Sequence, residues 1–251
     1  MSHAYSEAAR TVGASMGEAI SIFMLHPETF AGSAAAGYAN PLAGYVAGRG
    51  GVLGDATGRT VASVFSIFEP DFTAAMWDEG VAVRGAAGAS EVYWNQVAEF
   101  GRKYLAEAKG VARIAQLGEK IIGAAPTGAL PMFAGWRAMP LADDTAARAL
   151  QVMFVLRELR GDVHFNALSL ADITAVEAHM LHGGEEYTRM FGWPTPFADG
   201  AGKKARYDEV EEATNRRMAE IFEAALSREE AEELAELSAG ALASLKAAVP
   251  A

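Results

Sequence analysis

The chain of 251 residues carries 21 basic and 32 acidic side chains, a formal net charge of −11, with five histidines and no cysteine. Apolar residues make up 51% and charged residues 21%, close to the globular average, which excludes wholesale disorder. The lack of an apolar run of about 18 residues excludes a membrane span, and the lack of cysteine excludes disulfides and thiolate-ligated metals.

The charge is unevenly distributed. Between residues 207 and 236, eleven acidic side chains face three basic ones. This pattern predicts solvent-exposed helix surfaces, and it disfavours a nucleic-acid partner, because such binding depends on neutralising phosphates. The first seven residues lack the basic and apolar regions of a secretory signal, so we expect a cytoplasmic protein with no membrane partner.

The N-terminal half is predicted to be mainly helical. Apolar residues at steps of three and four indicate an amphipathic helix over residues 5–23 and a long helix over 90–125. Between them lie a glycine-rich segment at 48–54, a short apolar run at 61–68 that fits either a strand or a helix, and a helix capped by Asp71. The internal glycines of the long helix predict kinks or close helix crossings.

The C-terminal half follows a Pro- and Gly-rich loop. Asp143 or Asp144 is expected to cap a strongly apolar helix over residues 146–160, and a shorter helix follows Gly161. The remaining predicted elements are a helix capped by Asp172 and stopped by Gly183-Gly184, a hairpin or wing-like loop over 191–206, a helix over 207–226, and a last helix starting at the capping box Ser227–Glu230.

Five short motifs carry a family resemblance: GYVAGR at 44–49, FEP at 68–70, AGWRAMP at 134–140, LRELRG at 156–161 with His164, and FGWP at 191–194. Together they resemble an actinobacterial family described as MarR-like, with a helix-turn-helix derived from a winged helix. The resemblance implies a mostly α fold with two winged-helix-like halves joined by a long helix, and minor β structure in wing-like segments. The halves are then residues 1–125 and 143–251, with 126–142 as the connecting loop. The resemblance brings no catalytic residue with it.

The main candidate site is cationic. Arg157, Arg160 and His164 have the spacing i, i+3, i+7 and share one face if the helix is unbroken. Two guanidiniums beside an imidazole suit a carboxylate or a phosphate, and Trp136 and Arg137 of the connecting loop are predicted to join them. A bound anion would favour the protonated imidazole, so we expect binding to weaken as pH rises.

Structural roles compete with this interpretation. The two arginines have possible partners in nearby carboxylates, namely Glu158, Asp162 and Asp172. A metal-like spacing also occurs at His179, His182 and Glu186, but the following glycine pair is predicted to break that helix. We therefore predict no metal site, and the sequence indicates no particular cofactor.

Three functions remain open. We favour a protein that binds a small anionic or aromatic molecule on a winged-helix-derived scaffold that has lost DNA recognition. The alternatives are an enzyme that uses His164 as general acid or base in the same cavity, and a MarR-like transcriptional regulator. The regulator is disfavoured because the candidate recognition helix lacks Lys and Arg and offers only Thr174, Glu177 and His179. A basic wing, which a homodimer would concentrate, is formed by Lys203, Lys204 and Arg206.

Overall fold

The structure is a computed structural model that describes residues 3–249, and these form eleven α-helices and two short 3₁₀ helices. The α-helices are α1 (His3–Leu25), α2 (Pro27–Ala35), α3 (Pro41–Gly50), α4 (Gly58–Phe65), α5 (Pro70–Tyr104), α6 (Val111–Ala124), α7 (Pro131–Trp136), α8 (Thr145–Leu170), α9 (Ala175–Met190), α10 (Lys204–Ala225) and α11 (Arg228–Ala248). The 3₁₀ helices span Gly51–Leu53 and Ala201–Lys203.

The prediction of a mostly helical chain is confirmed, but the expected minor β structure is wrong for residues 3–249, which contain no strand. The run 61–68 lies largely in α4, because Thr57 caps the helix and Val61 and Phe65, four residues apart, both point into the core. The wing-like segment is irregular from 191 to 200. Its two prolines lack the N–H groups that a strand ladder needs.

Several predicted helix ends also differ from the structure. The long helix predicted over 90–125 is two helices, α5 and α6, separated at Gly110, where the backbone is left-handed (φ 76°). Asp172 does not cap α9; its own backbone is left-handed, and Thr174 caps the helix instead in a capping box with Glu177. The predicted interruption at the glycine pair is confirmed: the backbone of Gly184 is non-helical (φ 75°, ψ −163°), and a second helical segment of α9 runs from there to Met190. The connecting loop contains α7.

The sequence predicted the N-terminal caps of α5 and α8, and the structure contradicts the first prediction and confirms the second. Glu69, not Asp71, caps α5 by accepting the N–H of Phe72. Asp144 caps α8 by accepting the N–H of Ala147 at 2.9 Å, which confirms one of the two residues predicted for that role.

α8 is the central helix of the fold. Its residues 149–156 are buried on every side, because α1, α5, α6, α7 and α10 all pack against it. A helix that is apolar all round has no face for water and must lie inside the protein. α8 continues through Gly161 to Leu170, and its last four turns carry the predicted cationic residues.

Glycines allow neighbouring helices to approach one another closely. A Cβ at Gly101 of α5 would lie 2.6 Å from the carbonyl oxygen of Ala146, and a Cβ at Gly118 of α6 would lie 2.2 Å from a methyl of Val152 in α8. The predicted close crossings are confirmed at both positions, and only a residue without a Cβ fits them.

Candidate functional site

A cavity of about 760 Å³, partly open to solvent, lies beside the outer half of α8 between α1, α9 and α10. Its apolar lining includes Val12, Met16, Ile67, Leu156, Phe165, Leu168, Met218 and Phe222. Its polar lining includes Arg157, Arg160, His164, His182, Tyr187, Tyr207 and Glu211. A second cavity, of about 420 Å³, lies between α1 and α11, where the charged residues pair within their own helices. The larger cavity is the candidate site.

The structure brings three of the five predicted site residues together. Arg157, Arg160 and His164 all line the cavity, because α8 is unbroken. Trp136 and Arg137 lie elsewhere. The indole of Trp136 is fully buried in the core and donates to a backbone carbonyl at 3.2 Å. Arg137 donates to the carbonyl of Ala125, the residue that follows α6, and stacks on an aromatic ring of α7.

Arg157 is anchored by a buried ion-pair cluster. Glu158, only 1% exposed, accepts hydrogen bonds from Nε and Nη2 of Arg49 at 3.0 and 2.9 Å and from Nη1 of Arg157 at 2.8 Å. Burial opposes ionisation of this carboxyl, yet the two guanidiniums hold its pKa below the usual value. One carboxylate therefore serves two cations, of which Arg49 is buried and Arg157 reaches the cavity.

The cluster confirms part of the alternative in which the arginines pair with nearby carboxylates, because Arg157 pairs with Glu158. The role of Arg49 was not predicted, because it lies in a glycine-rich helix 109 residues before its partner. Asp162, also named as a possible partner, instead accepts the backbone N–H of Phe133 at 2.9 Å. Its burial raises the pKa of the carboxyl to about 6.

Arg160 is held between two helices. Its Nη2 donates to Glu211 of α10 at 2.8 Å, and its Nε lies against Gly13 of α1, where an added Cβ would come within 2.8 Å. That Nε is buried and has no hydrogen-bond partner among residues 3–249. Sequence reasoning missed Glu211, because the acidic face of α10 is indistinguishable by composition from a solvent-exposed surface.

His164 contacts α10 through one ring nitrogen. Its Nδ1 lies 3.2 Å from Oγ1 of Thr214 and 3.6 Å from a carboxylate oxygen of Glu211. Burial lowers the pKa of this imidazole; Glu211 opposes that effect, while Arg160 and His182 add to it. The imidazole is therefore neutral near pH 7 in the absence of a bound molecule.

The other two histidines of this region contact the protein. His179 is buried, donates from Nε2 to the carbonyl of Ile67 at 2.7 Å and stacks on Phe191. His182 lies at the cavity with its Nδ1 3.3 Å from the hydroxyl of Tyr207. No three potential ligands among His, Cys, Asp and Glu lie together as a metal site within residues 3–249.

The cations of the predicted basic wing are engaged with neighbouring groups. Lys203 bonds to Glu177 at 2.9 Å, and Lys204 bonds to Asp208 at 2.7 Å. Arg206 donates to a backbone carbonyl at 3.2 Å.

Within the described chain, no helix is both long and apolar enough to cross a membrane.

Comparison with known proteins assigns the class. A family model described as a helix-turn-helix family matches residues 9–202, about three quarters of the chain, and the chain therefore belongs to that helix-turn-helix family. The matched segment includes α8 and α9 and ends before α10, so Glu211 and Thr214 lie outside it. A search of curated proteins and a search of solved structures found no match.

Proposed function

We propose that this helix-turn-helix protein binds a small organic anion with an apolar or aromatic body in the cavity beside α8. The observation that carries the proposal is the shared carboxylate of Glu158. Arg49 already donates two hydrogen bonds to that carboxylate, and Arg157 donates only one. Most N–H donors of the Arg157 guanidinium are therefore left unused at the cavity wall. A bound carboxylate, sulfonate or phosphate would accept these donors in a charge-assisted contact.

The remainder of the lining supports the apolar part of the ligand. Met16 and Phe222, with the neighbouring aliphatic residues, provide a surface that would exclude water from an aromatic ring. A pocket that combines an apolar surface with a few charged groups is typical of sites for small molecules. The finer relation to MarR-like, winged-helix-derived proteins stays part of this proposal, as does enzymatic use of His164.

Family membership favours a second candidate, a DNA-binding regulator. Against it, the lysines that would contact phosphates are already paired with carboxylates of this chain. In addition, α9 carries a single arginine, Arg189, beside three glutamates. We therefore propose that the isolated chain has lost sequence-specific DNA recognition. Selection from random duplexes at physiological salt should recover no site. Recovery of a nanomolar operator, with binding lost on replacing Lys203 and Lys204 by alanine, would support the regulator instead.

The binding proposal can be tested with a fluorescent pair that differs in charge. We expect 8-anilinonaphthalene-1-sulfonate to bind saturably at one site per chain. The neutral N-phenyl-1-naphthylamine should bind about tenfold more weakly, because it makes no charge-assisted contacts. Arg157→Ala and Arg160→Ala should remove most of this difference between the two dyes.

Two glycines provide a matched control for the location. Gly17 lines the cavity and Gly240 is exposed on α11, and an added Cβ at either meets nothing within 4 Å. Both Gly→Leu changes favour the helix, so neither is expected to unfold the protein. Gly17→Leu should fill the cavity and abolish sulfonate binding, whereas Gly240→Leu should leave it intact. Equal binding by the two variants, or no saturable binding by the unmodified chain, would overturn the proposal.

A further inference from the structure

The hydrogen bonds around Thr214 determine which nitrogen of His164 carries the proton. The threonine hydroxyl has one hydrogen, and it donates that hydrogen to the carbonyl of Val210 at 2.8 Å, an atom that can only accept. Its oxygen must then accept from Nδ1 of His164 at 3.2 Å. The second neighbour of Nδ1, the carboxylate of Glu211, is also an acceptor. The hydrogen bond to Thr214 therefore requires a hydrogen on Nδ1, and the nearby carboxylate favours the same arrangement.

The remaining nitrogen of His164 is therefore a lone-pair acceptor. The imidazole is neutral near pH 7, and a neutral ring protonated at Nδ1 has none at Nε2. Nε2 has no hydrogen-bond partner among residues 3–249, while the Nδ1 side of the ring is occupied by α10. Since His164 lines the cavity, Nε2 is the ring atom available to a bound molecule.

The polar wall of the cavity thus combines two kinds of group. Arg157 and Arg160 can only donate hydrogen bonds, whereas Nε2 of His164 can only accept one. The three side chains lie on one face of α8 within two turns. An ammonium group would supply the donor but would be repelled by the guanidiniums, so a hydroxyl or a neutral N–H fits better.

We propose that His164 is a specificity-determining residue that accepts a hydrogen bond from the bound molecule, which is an organic anion carrying a hydroxyl or neutral N–H near its acidic group. This inference rests on the proposed binding function and specifies its ligand class. It reverses the expectation that a protonated His164 binds the anion. Thr214, fully buried on α10, acts as a positioning residue because it orients the ring and selects its tautomer.

The tautomer can be tested without any ligand. Long-range ¹H–¹⁵N spectra of the labelled chain should show His164 neutral at pH 7 with its proton on Nδ1; the signal is assigned by its loss in His164→Asn. Thr214→Val removes the acceptor and should shift the ring toward the Nε2-protonated form, while Thr214→Ser should preserve the original form. A ring protonated on Nε2 in the unmodified chain would overturn the inference.

The ligand class can be tested with naphthalenesulfonate and its ring-hydroxylated isomers. At least one isomer should bind about tenfold more tightly than the parent sulfonate, which is the effect of one good hydrogen bond. His164→Asn keeps a donor toward Thr214, but its shorter side chain places no atom where Nε2 lies, so the ratio of the isomer's affinity to that of the parent sulfonate should fall toward one.

The two levels of the proposal fail differently. If neither the parent sulfonate nor any isomer binds, the proposed binding function is refuted. If the parent binds but no hydroxyl improves its affinity, or if the improvement survives in His164→Asn, the binding function stands and the role of His164 is overturned.

Discussion

The buried pair of Arg49 and Glu158 offers the sharpest test of what stabilises this fold. Both side chains are 1% exposed, and two hydrogen bonds of 3.0 and 2.9 Å join them. Glu158→Leu would leave the guanidinium of Arg49 buried without a counter-charge. Removing one partner of such a pair costs about 3–5 kcal/mol, and for a chain of this size that lowers the melting temperature by about 10 °C.

Removing both charges should have a much smaller effect. In Arg49→Met combined with Glu158→Leu, no unpaired charge remains in the core, and Arg157 is hydrated through the cavity because its side chain is 22% exposed. We expect the double variant to recover most of the stability lost in Glu158→Leu. Urea unfolding of the two single variants and the double variant measures the coupling. If the losses of the single variants simply add, the pair does not act as a unit and this reasoning is refuted.

Three further predictions concern the fold. Burial raises the pKa of Asp162 from 3.8 to about 6 in the folded chain, so the folded state loses stability as pH rises from 4 through 6 and this carboxyl ionises. The free energy of unfolding of Asp162→Asn, relative to the unmodified chain, should therefore increase by up to about 3 kcal/mol between pH 4 and pH 7. A difference in urea midpoints that does not change with pH would contradict this. Gly51→Ala should lower the melting temperature, since the added Cβ would lie 2.2 Å from a carbonyl oxygen of α5. Gly123→Ala, where the added Cβ meets open space, is the control and should be neutral or stabilising in the same melting assay. Thr174→Ala should lose about 1 kcal/mol and speed hydrogen exchange at the start of α9, and Thr174→Ser should retain both.

Local spacing alone was enough to predict much of the helical architecture. The periodic apolar residues of α1 and α10 and the capping box of α11 are signals within a few residues, and the structure confirms them. The same holds for the shared face of Arg157, Arg160 and His164, because positions three and seven apart on one helix always lie together. The sequence also indicated that α8 is too apolar to lie at the surface.

Short ambiguous segments were decided by their neighbours along the chain and in space. The run at 61–68 fits a strand or a helix by composition, and the cap at Thr57 together with packing on α5 makes it helical. Asp172 has the residue type of a cap, but Thr174, two residues later, has the geometry and the matching glutamate. Propensity is a weak signal at such points, because several nearby residues satisfy the same rule.

The chemistry of the cavity depended on contacts that only the tertiary structure determines. Glu158 meets Arg49 across 109 residues, and His164 meets Thr214 across 50. No spacing rule relates such pairs, since their separation is set by how whole helices pack and not by the period of any one helix. The sequence by itself determined that α8 carries two cations and an imidazole on one face. The packing of α3 and α10 against the rest of the fold decided which carboxylate pairs with which cation. It also decided which nitrogen of the imidazole remains free.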